Sequence, residues 1–375
     1  MILSPLEQTG SAIPPALTCR LHCRSSWYGF TQHINETMVR EMGEGMVSSG
    51  LSAAGYEHIW LDDGWAVSRD SRGHIVEDKQ LFPGGMKALV AYIHSLKLKF
   101  GIYTSKGNLT CLGYQKTQPK RPGSCGFEQI DADVYAHEWQ VDQVKDDGCG
   151  SCPHNPWTAM RDALNKTGRP IFFAIHAGNC ENWSTPVSCV NGSIANSWRT
   201  GGDLSSSTFA MWTNRLDLAT LPAQAALAGP GAFPNPDFLE VGYSPRVKKP
   251  HAMSIVEQRS MFTMWAALPA PLILSADLRK ASFDSGGGLD ANVVKILTNK
   301  DVIAVNQDEA AQPMLPIRRQ GGAEVWKKTL STGMAVILFH RNDSGLAAAP
   351  LAAPPAVHAG QPVSMTDCSP GAIRW

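Results

Sequence analysis

The chain has 375 residues, of which 43% are hydrophobic and 18% are charged, and its formal net charge at pH 7 is zero. This composition is typical of a globular protein, and the length allows one large core with a smaller second domain. The lack of a basic excess argues against nucleic-acid and membrane-surface partners. No apolar run reaches the roughly 18 to 20 residues that span a bilayer, so no membrane partner is predicted.

Short apolar strands alternate with amphipathic helices from about residue 20 to residue 300. We predict the first strand over SSWYGF (25–30) and the second over HIWLDDGW (58–65). Apolar residues at helical spacing predict a helix over 84–97, and FGIYTS (100–105) is the third strand. The alternation continues with a helix over DADVYAHEW, a strand over VDQVKD, a helix over 156–168, and strands over PIFFAI (170–175), NSWRTGGD, FLEVG (238–242) and PLILSAD (271–277).

Repeated strand–helix units imply a parallel sheet. Eight such units over roughly 280 residues predict an α/β fold of the (β/α)8 TIM-barrel type. An open doubly wound sheet is the alternative, although no glycine-rich phosphate turn follows any strand. Beyond about residue 305, AEVWKKTL and GMAVILFHRN predict antiparallel strands before an Ala/Pro-rich stretch. We therefore expect a catalytic barrel at residues 20–303 and a small, partial C-terminal antiparallel β-domain at 304–375.

The chain carries nine cysteines and several Asn-x-Ser/Thr sequons, which together favour a secreted or a lysosome- or vacuole-like compartment. The N-terminal stretch MILSPLEQTGSAIPPAL has neither a basic nor an apolar signal-peptide region, so no signal peptide is visible. Cys149 and Cys152 have a spacing found in zinc sites, but no second such pair follows, so no metal site is predicted. The sequons begin at Asn35, Asn108, Asn165, Asn182, Asn191 and Asn342.

Polar and aromatic residues lie where the predicted strands end, which is where a TIM barrel places its active site. A charge at the end of a buried strand is costly unless it is paired or used. Carboxylates with one lysine, one arginine and several aromatic rings are typical of a sugar pocket, in which two carboxylates can flank a glycosidic bond. The residues so collected are Trp27, Asp62, Asp63, Trp65, Tyr103, Lys145, Asp146, Asp147, His176, Arg199, Asp203 and Asp237.

Each of these residues also has a structural interpretation. Asp62 and Asp63 could cap the N-terminus of a helix, and Lys145 with Asp147 could be a structural ion pair. A metal-dependent hydrolase on the same fold is a further alternative, although no His-x-His follows the first strand. The concentration of polar residues at one end of the predicted barrel favours the sugar pocket.

With these residues in hand, the chain resembles the α-galactosidases (melibiases) and α-N-acetylgalactosaminidases of glycoside hydrolase family 27. The matching stretches occur in the family's order from about residue 25 to residue 310. They are INETMVREMGEGMVSSGLSAAGYEHIWLDDGW, LFPGGMKALVAYIHSLKLKFGIYTS, IDADVYAHEWQVDQVKDDGC, SWRTGGD, AGPGAFPNPDFLEVG, MFTMWAALPAPLILSADLR and DVIAVNQD.

The resemblance implies a retaining exo-α-galactosidase without a metal or an organic cofactor, acting on an oligosaccharide or glycoconjugate. It implies that Asp147 is the nucleophile and Asp203 the acid/base, which would have the higher pKa of the two because it must hold a proton. Lys145 would keep Asp147 ionised. The remaining implied roles are substrate binding by Trp27, Asp62, Asp63, Tyr103, Lys145, His176, Arg199 and Asp237, and disulfides Cys111–Cys149 and Cys180–Cys189.

The chain departs from the family pattern at several positions. Asp146 replaces an aromatic or apolar residue and is predicted to face the helix layer without a partner. Ile175-His176-Ala177 replaces the family's Cys-Glu-Trp, so a different axial-O4 sugar, such as α-N-acetylgalactosamine or β-L-arabinopyranose, is an alternative substrate. A catalytically impaired sugar-binding homologue is the third alternative, and a homodimer is one assembly to test.

Overall fold

The computed structural model describes residues 22–116, 119–176, 192–204, 208–242, 253–279 and 289–341. Its strands, in chain order, are β1 (His22–Ser25), β2 (His58–Trp60), β3 (Ala66–Arg69), β4 (Ile75–Glu77), β5 (Lys99–Ser105), β6 (Gln143–Asp147), β7 (Phe172–His176), β8 (Ser197–Arg199), β9 (Phe233–Asn235), β10 (Leu272–Leu274), β11 (Leu315–Gln320), β12 (Ala323–Leu330) and β13 (Gly333–His340). The α-helices are α1 (Trp27–Phe30), α2 (Glu36–Ser48), α3 (Met86–Ser95), α4 (Glu128–Asp133), α5 (Pro156–Lys166), α6 (Phe209–Ala219), α7 (Pro222–Ala225), α8 (Ile255–Ala267), α9 (Ala291–Leu297) and α10 (Lys300–Gln307).

Eight strands form one sheet in the order β10–β1–β2–β5–β6–β7–β8–β9, and every neighbouring pair is parallel. The sheet closes on itself just beyond β9, where Leu239 forms a parallel bridge with Leu274 of β10. The Leu239 N–H donates to the Ile273 carbonyl at 2.7 Å. The fold is therefore the predicted TIM barrel, and the carboxyl ends of all eight strands lie at one mouth.

The helices between the strands begin at residues whose side chains satisfy free backbone N–H groups. Asn35 accepts from the Met38 N–H at 2.8 Å at the start of α2. Ser254 and Glu257 form a reciprocal capping box at the start of α8. With helices covering the outside, strands such as β7 are buried on both faces, which explains their nearly uninterrupted apolar sequence.

Two smaller sheets accompany the barrel. β3 and β4 form an antiparallel hairpin after β2, and β11, β12 and β13 form an antiparallel sheet after α10. Arg341 joins this C-terminal sheet to barrel helix α6 through Asp217, with N–O distances of 2.7 and 2.8 Å. The predicted division at residues 303 and 304 falls within α10, and the domain limits 20–303 and 304–375 stay a prediction.

Two of the strand predictions are wrong in position. The chain leaves β1 at Ser25, and residues 27–30, predicted as strand, form helix α1, because a short aromatic run is compatible with either state. The predicted strand 238–242 contributes only the Leu239 bridge, and the seventh barrel strand is β9, which contains Pro234, a residue type that is uncommon within strands. Asp237 has φ of 100°, which breaks the extended run between the two segments.

Sequence reasoning also missed β3, β4 and β11, which are short and lack a strong alternating pattern. Within the described ranges, no helix has both the length and the apolar character that crossing a bilayer requires.

Candidate active site

Strand β6 carries two charged residues into the barrel mouth and one away from it. Because side chains alternate along a strand, Lys145 and Asp147 share a face and Asp146 occupies the other. The Lys145 Nζ lies 2.9 Å from Asp62 Oδ2 and 3.6 Å from Asp147 Oδ2. Burial lowers the pKa of Lys145, but the charges of Asp62 and Asp147 outweigh burial and raise the pKa above its usual value. The lysine is therefore a fixed cation between two carboxylates.

Both oxygens of Asp147 accept hydrogen bonds. The Tyr103 hydroxyl donates to Oδ2 at 3.1 Å, and the Gly148 N–H donates to Oδ1 at 2.7 Å. His176 Nδ1 lies 3.2 Å from the same Oδ1. Burial by itself would raise the pKa of Asp147, but the charges of Lys145 and His176 and these hydrogen bonds hold it well below its usual range. Asp147 is thus an ionised, oriented carboxylate.

Asp203 lies across the mouth from Asp147 and is reached through His176. The distances from His176 Nδ1 are 3.2 Å to Asp147 Oδ1 and 3.8 Å to Asp203 Oδ1, so these two oxygens lie at most about 7 Å apart. Arg199 Nη1 donates to Asp203 Oδ1 at 3.1 Å. The Asp203 side chain is 56% exposed, whereas that of Asp147 is 14% exposed. One carboxylate is therefore enclosed and the other faces the opening.

The pKa of Asp203 is lowered less than that of Asp147, which agrees with the predicted order of the two, but it also lies below its usual value. Burial acts to raise it, but the charges of Arg199, His176 and Lys145 lower the pKa below its usual value. The charges of the described residues around the site thus favour the ionised forms of both Asp147 and Asp203. The mechanism predicted from the sequence requires a proton on Asp203. The first cause of the lowered pKa is Arg199, whose Nη1 lies 3.1 Å from Asp203 Oδ1, and His176 Nδ1 lies 3.8 Å from the same oxygen.

Arg199 is fixed by a second carboxylate, that of Asp237. Arg199 Nη2 lies 2.9 Å from Asp237 Oδ2, and the same oxygen accepts from the Tyr28 hydroxyl at 2.6 Å and the Leu204 N–H at 2.7 Å. Asp237 is fully buried. Its Oδ2 holds Arg199 and the turn after β8, whereas its Oδ1 accepts no hydrogen bond from the described residues.

Asp62 and Asp63 follow β2 and precede hairpin strand β3, so they do not cap a helix. The Ser26 hydroxyl accepts from the Asp62 N–H at 2.9 Å, and Asp63 Oδ2 accepts from the Leu112 N–H at 2.8 Å. Burial raises the pKa of Asp63 to about 6, although the Leu112 hydrogen bond acts against that rise. Both carboxyl groups are therefore buried, and that of Asp62 lies beside Lys145.

The aromatic residues of the predicted set occupy different environments. Tyr103 is buried, and its ring lies 5.0 Å from Lys145 Nζ. Trp27 begins α1 directly after β1 and is half-buried against the core. Sequence reasoning missed Tyr28, which reaches Asp237, because its segment was predicted as strand. A polar hydroxyl within an aromatic run was the only signal available.

Two disulfides hold the loops after β5 and β6 together. Cys111 is bonded to Cys149, two residues beyond Asp147, and Cys125 is bonded to Cys152. The first bond is the one that the family resemblance implies, and the second was not predicted. The predicted Cys180–Cys189 bond lies outside the described residues. The two disulfide bonds restrict the backbone that follows Asp147.

Asp146 lies behind the site, on the outer face of β6. It is 1% exposed, and its Oδ1 accepts no hydrogen bond from the described residues. Burial, followed by the charges of Asp147 and Glu128, raises the pKa of Asp146 well above its usual value. Asp146 is therefore a buried carboxyl group that the fold favours in its neutral form.

A TIM barrel with paired carboxylates, a buried lysine and a fixed arginine at its mouth defines a carbohydrate-hydrolysing enzyme, a glycoside hydrolase. A family model described as alpha galactosidase A matches residues 15–308. This match covers well over half of the chain, and the chain belongs to that family.

Curated relatives and solved structures agree with this membership. The chain is 38% identical to alpha-galactosidase 2 of Arabidopsis thaliana over 326 residues, which cover 85% of this chain and 75% of that protein. It is 35% identical to human alpha-galactosidase A, covering 83% of this chain and 69% of that protein. An α-galactosidase structure from Saccharomyces cerevisiae matches with a TM-score of 0.72 at 28% identity, covering 86% of this chain and 74% of that one.

Proposed function

We propose that the chain is a retaining exo-α-galactosidase, which removes terminal α-linked galactose from oligosaccharides or glycoconjugates. The spacing of Asp147 and Asp203 carries the proposal, because their Oδ1 atoms lie at most about 7 Å apart. Retaining glycosidases hold their carboxyl groups roughly 5 to 5.5 Å apart and inverting ones roughly 6.5 to 9.5 Å apart. Separations above about 7 Å, which make up most of the range for inverting enzymes, do not fit this site. The α-galactosidase names of the relatives support the choice of sugar.

Asp147 is the proposed nucleophile. Its carboxylate attacks C1 of the galactosyl group, the bond from C1 to the glycosidic oxygen breaks, and a covalent glycosyl-aspartate forms. Lys145 and Tyr103 keep the attacking group ionised and oriented, since both contact its Oδ2. The low pKa of Asp147 means that it needs no separate base for activation.

Asp203 is the proposed acid/base. In the first step a proton passes through its carboxyl group to the departing glycosidic oxygen. In the second step the resulting carboxylate accepts a proton from the water molecule that attacks C1 and releases Asp147. Its partial exposure at the mouth suits this role, because both the leaving group and the water arrive from that side.

The remaining residues are proposed to bind the sugar. Asp62, Asp63 and Lys145 would contact the O4, O6 and O3 hydroxyl groups, since buried carboxylates and a lysine at the foot of the site can accept from and donate to them. Arg199 and His176 would lie near C2. The proposed lining residues are completed by Trp27, Tyr103 and Asp237.

A second candidate keeps the mechanism and changes the sugar. The observation that favours it is His176, which occupies the end of β7 beside both carboxylates, where a C2 substituent would lie. A GH27 β-L-arabinopyranosidase structure from Geobacillus stearothermophilus shares the fold, with a TM-score of 0.71 at 21% identity. α-N-acetylgalactosaminides and β-L-arabinopyranosides are therefore included in the test.

The test is hydrolysis of the aryl α-galactoside, α-N-acetylgalactosaminide and β-L-arabinopyranoside between about pH 4 and 7. We expect release from the α-galactoside, abolished in Asp147→Asn with the fold intact. Asp146→Asn is the matched control, because it changes the adjacent carboxyl group on the opposite face of β6. Full activity in Asp147→Asn would refute the proposal, and silence across the panel from folded protein would indicate a sugar-binding role.

The disulfides and the exposed face of β13 bear on the compartment and the assembly of the protein. We propose a secreted or lysosome- or vacuole-like location, because the two described disulfides are stable in oxidising compartments. We also propose a homodimer, whose formation would cover the apolar side chains of Met334, Val336 and Leu338 on β13, each more than half exposed. Light scattering on purified protein measures the assembly directly, and a monomer at micromolar concentration would refute it.

A further inference from the structure

His176 is placed between the two proposed catalytic carboxylates rather than at the edge of the site. Its Nδ1 lies 3.2 Å from Asp147 Oδ1 and 3.8 Å from Asp203 Oδ1, and its side chain is 13% exposed. Nδ1 carries one hydrogen, and because it lies within reach of both carboxylates, that hydrogen can be directed either to Asp147 or to Asp203.

The surrounding charges explain why such a group is needed. Asp147 on β6 and Asp203 beyond β8 both contact His176. Lys145 and Tyr103 contact Asp147, and Arg199 contacts Asp203. Burial acts to raise the pKa of Asp203, but Arg199, His176 and Lys145 lower it below its usual value. A carboxyl group that must protonate a leaving oxygen is thus held in its ionised form by its neighbours.

Resting on the proposed function, we propose that His176 holds the proton that Asp203 delivers to the glycosidic oxygen. The N–H bond of the His176 imidazolium breaks as an O–H bond forms on Asp203, leaving a neutral imidazole and a neutral carboxylic acid. Asp203 then gives this proton to the glycosidic oxygen as the bond to C1 breaks. In the second step Asp203 takes a proton from the attacking water and returns it to His176, so the cycle closes without a co-reactant.

Substrate binding supplies the direction of the first transfer. The Asp203 side chain is 56% exposed, and a sugar seated at the mouth would remove water from it. Desolvation disfavours a carboxylate, so covering Asp203 moves the proton from His176 toward it. His176 is already 13% exposed and changes less on covering. The proton therefore reaches Asp203 when a leaving oxygen is present to receive it.

The test is His176→Asn, assayed with α-galactosides of graded leaving groups. The asparagine amide nitrogen reproduces the Nδ1 position and can still donate to Asp147, but it carries no exchangeable acid proton. An activated leaving group such as 2,4-dinitrophenolate departs without acid assistance, whereas an alkyl or sugar alcohol requires it. We expect the ratio of kcat/KM between the activated and unactivated substrates to rise about 100-fold in the variant.

The pH profile gives a second readout that a merely structural role would not move. An acid catalyst must be protonated, so kcat/KM falls as pH rises through the pKa of the group that holds the proton. Without His176 the proton must reside on Asp203, whose pKa the charges of Arg199 and Lys145 still act to lower. We therefore expect the basic limb of kcat/KM for unactivated substrates to move to lower pH in His176→Asn.

A double variant with Asp203→Asn completes the design. If His176 acts through Asp203, the two substitutions are non-additive, and adding His176→Asn to Asp203→Asn changes the leaving-group dependence little. His176→Gln repeats the test if His176→Asn does not fold. Wild-type leaving-group dependence and an unmoved basic limb in a folded variant would overturn the inference. Failure of wild-type enzyme on the activated α-galactoside would instead overturn the proposed function.

Discussion

Replacing Asp146 should change how the stability of the protein depends on pH. The carboxyl group is 1% exposed and one of its oxygens has no described hydrogen-bond donor, so burial, together with the charges of Asp147 and Glu128, raises its pKa well above the usual value. The folded protein then retains a proton that the unfolded chain loses above about pH 4. Ionisation of Asp146 in the unfolded chain therefore lowers the free energy of unfolding as pH rises above the pKa of the unfolded state. Below that pKa it has no such effect.

The magnitude follows from the linkage between protonation and folding. One proton held only by the folded state lowers the free energy of unfolding by about 1.4 kcal/mol for each pH unit. This loss accumulates from about pH 4 upward and stops at the raised folded pKa of Asp146. Asn has nearly the same shape without the acidic proton, so Asp146→Asn removes the slope.

The assay is urea unfolding of wild type and Asp146→Asn at pH 5, 6 and 7. We expect the stability difference between the variant and wild type to grow in favour of the variant by about 1.4 kcal/mol per pH unit wherever the pH lies below the raised pKa of Asp146. Asp133→Asn is the control, since that side chain is 53% exposed on α4. Parallel stability curves for wild type and Asp146→Asn would refute the reasoning that Asp146 is protonated in the folded state.

Two further substitutions test the frame of the site. Replacing Cys125 and Cys152 together by serine opens a loop of 27 residues, which on the chain-entropy account should lower the free energy of unfolding by about 3.5 kcal/mol. Urea unfolding under oxidising conditions measures this loss. No change would mean that the bond does not constrain the unfolded chain. Lys145→Met leaves Asp62 and Asp147 buried without their shared cation, and we expect a loss of about 3 to 5 kcal/mol together with loss of turnover. A loss below about 1 kcal/mol would indicate that these carboxylates find other partners.

The barrel was predictable because its pattern repeats. Eight apolar strands recur along the barrel and a helix is described after seven of them, so errors in single elements do not alter the class of fold. The first strand illustrates this tolerance: its position was wrong by a few residues, yet Tyr28 from the same segment still reaches Asp237 at the site. The seventh strand was misplaced because Pro234 and the positive φ of Asp237 interrupt the run from which a strand would be identified.

The general position of the site was predictable for a related reason. Parallel strands bring their carboxyl ends to one edge, so Asp62, Lys145, Asp147 and Arg199 could be grouped before any distance was known. The pairing within the group was not predictable. That Asp237 lines the pocket stays a prediction, but its Oδ2 also pairs with Arg199 and accepts from Tyr28, because a buried guanidinium requires a buried counter-charge.

The charge states depend on contacts that the sequence does not specify. Alternation along β6 was enough to infer that Lys145 would keep Asp147 ionised, since both residues lie on one strand and share a face. Asp203 receives its neighbours from β7 and β8, and the 3.8 Å contact with His176 joins residues that are 27 positions apart in the chain. The mechanism alone assigns a proton to Asp203. In the structure, however, Arg199 and His176 lower the pKa of that carboxyl group and favour its ionised form. The acid proton is therefore shared by the pair that His176 and Asp203 form, rather than held by a single carboxyl group.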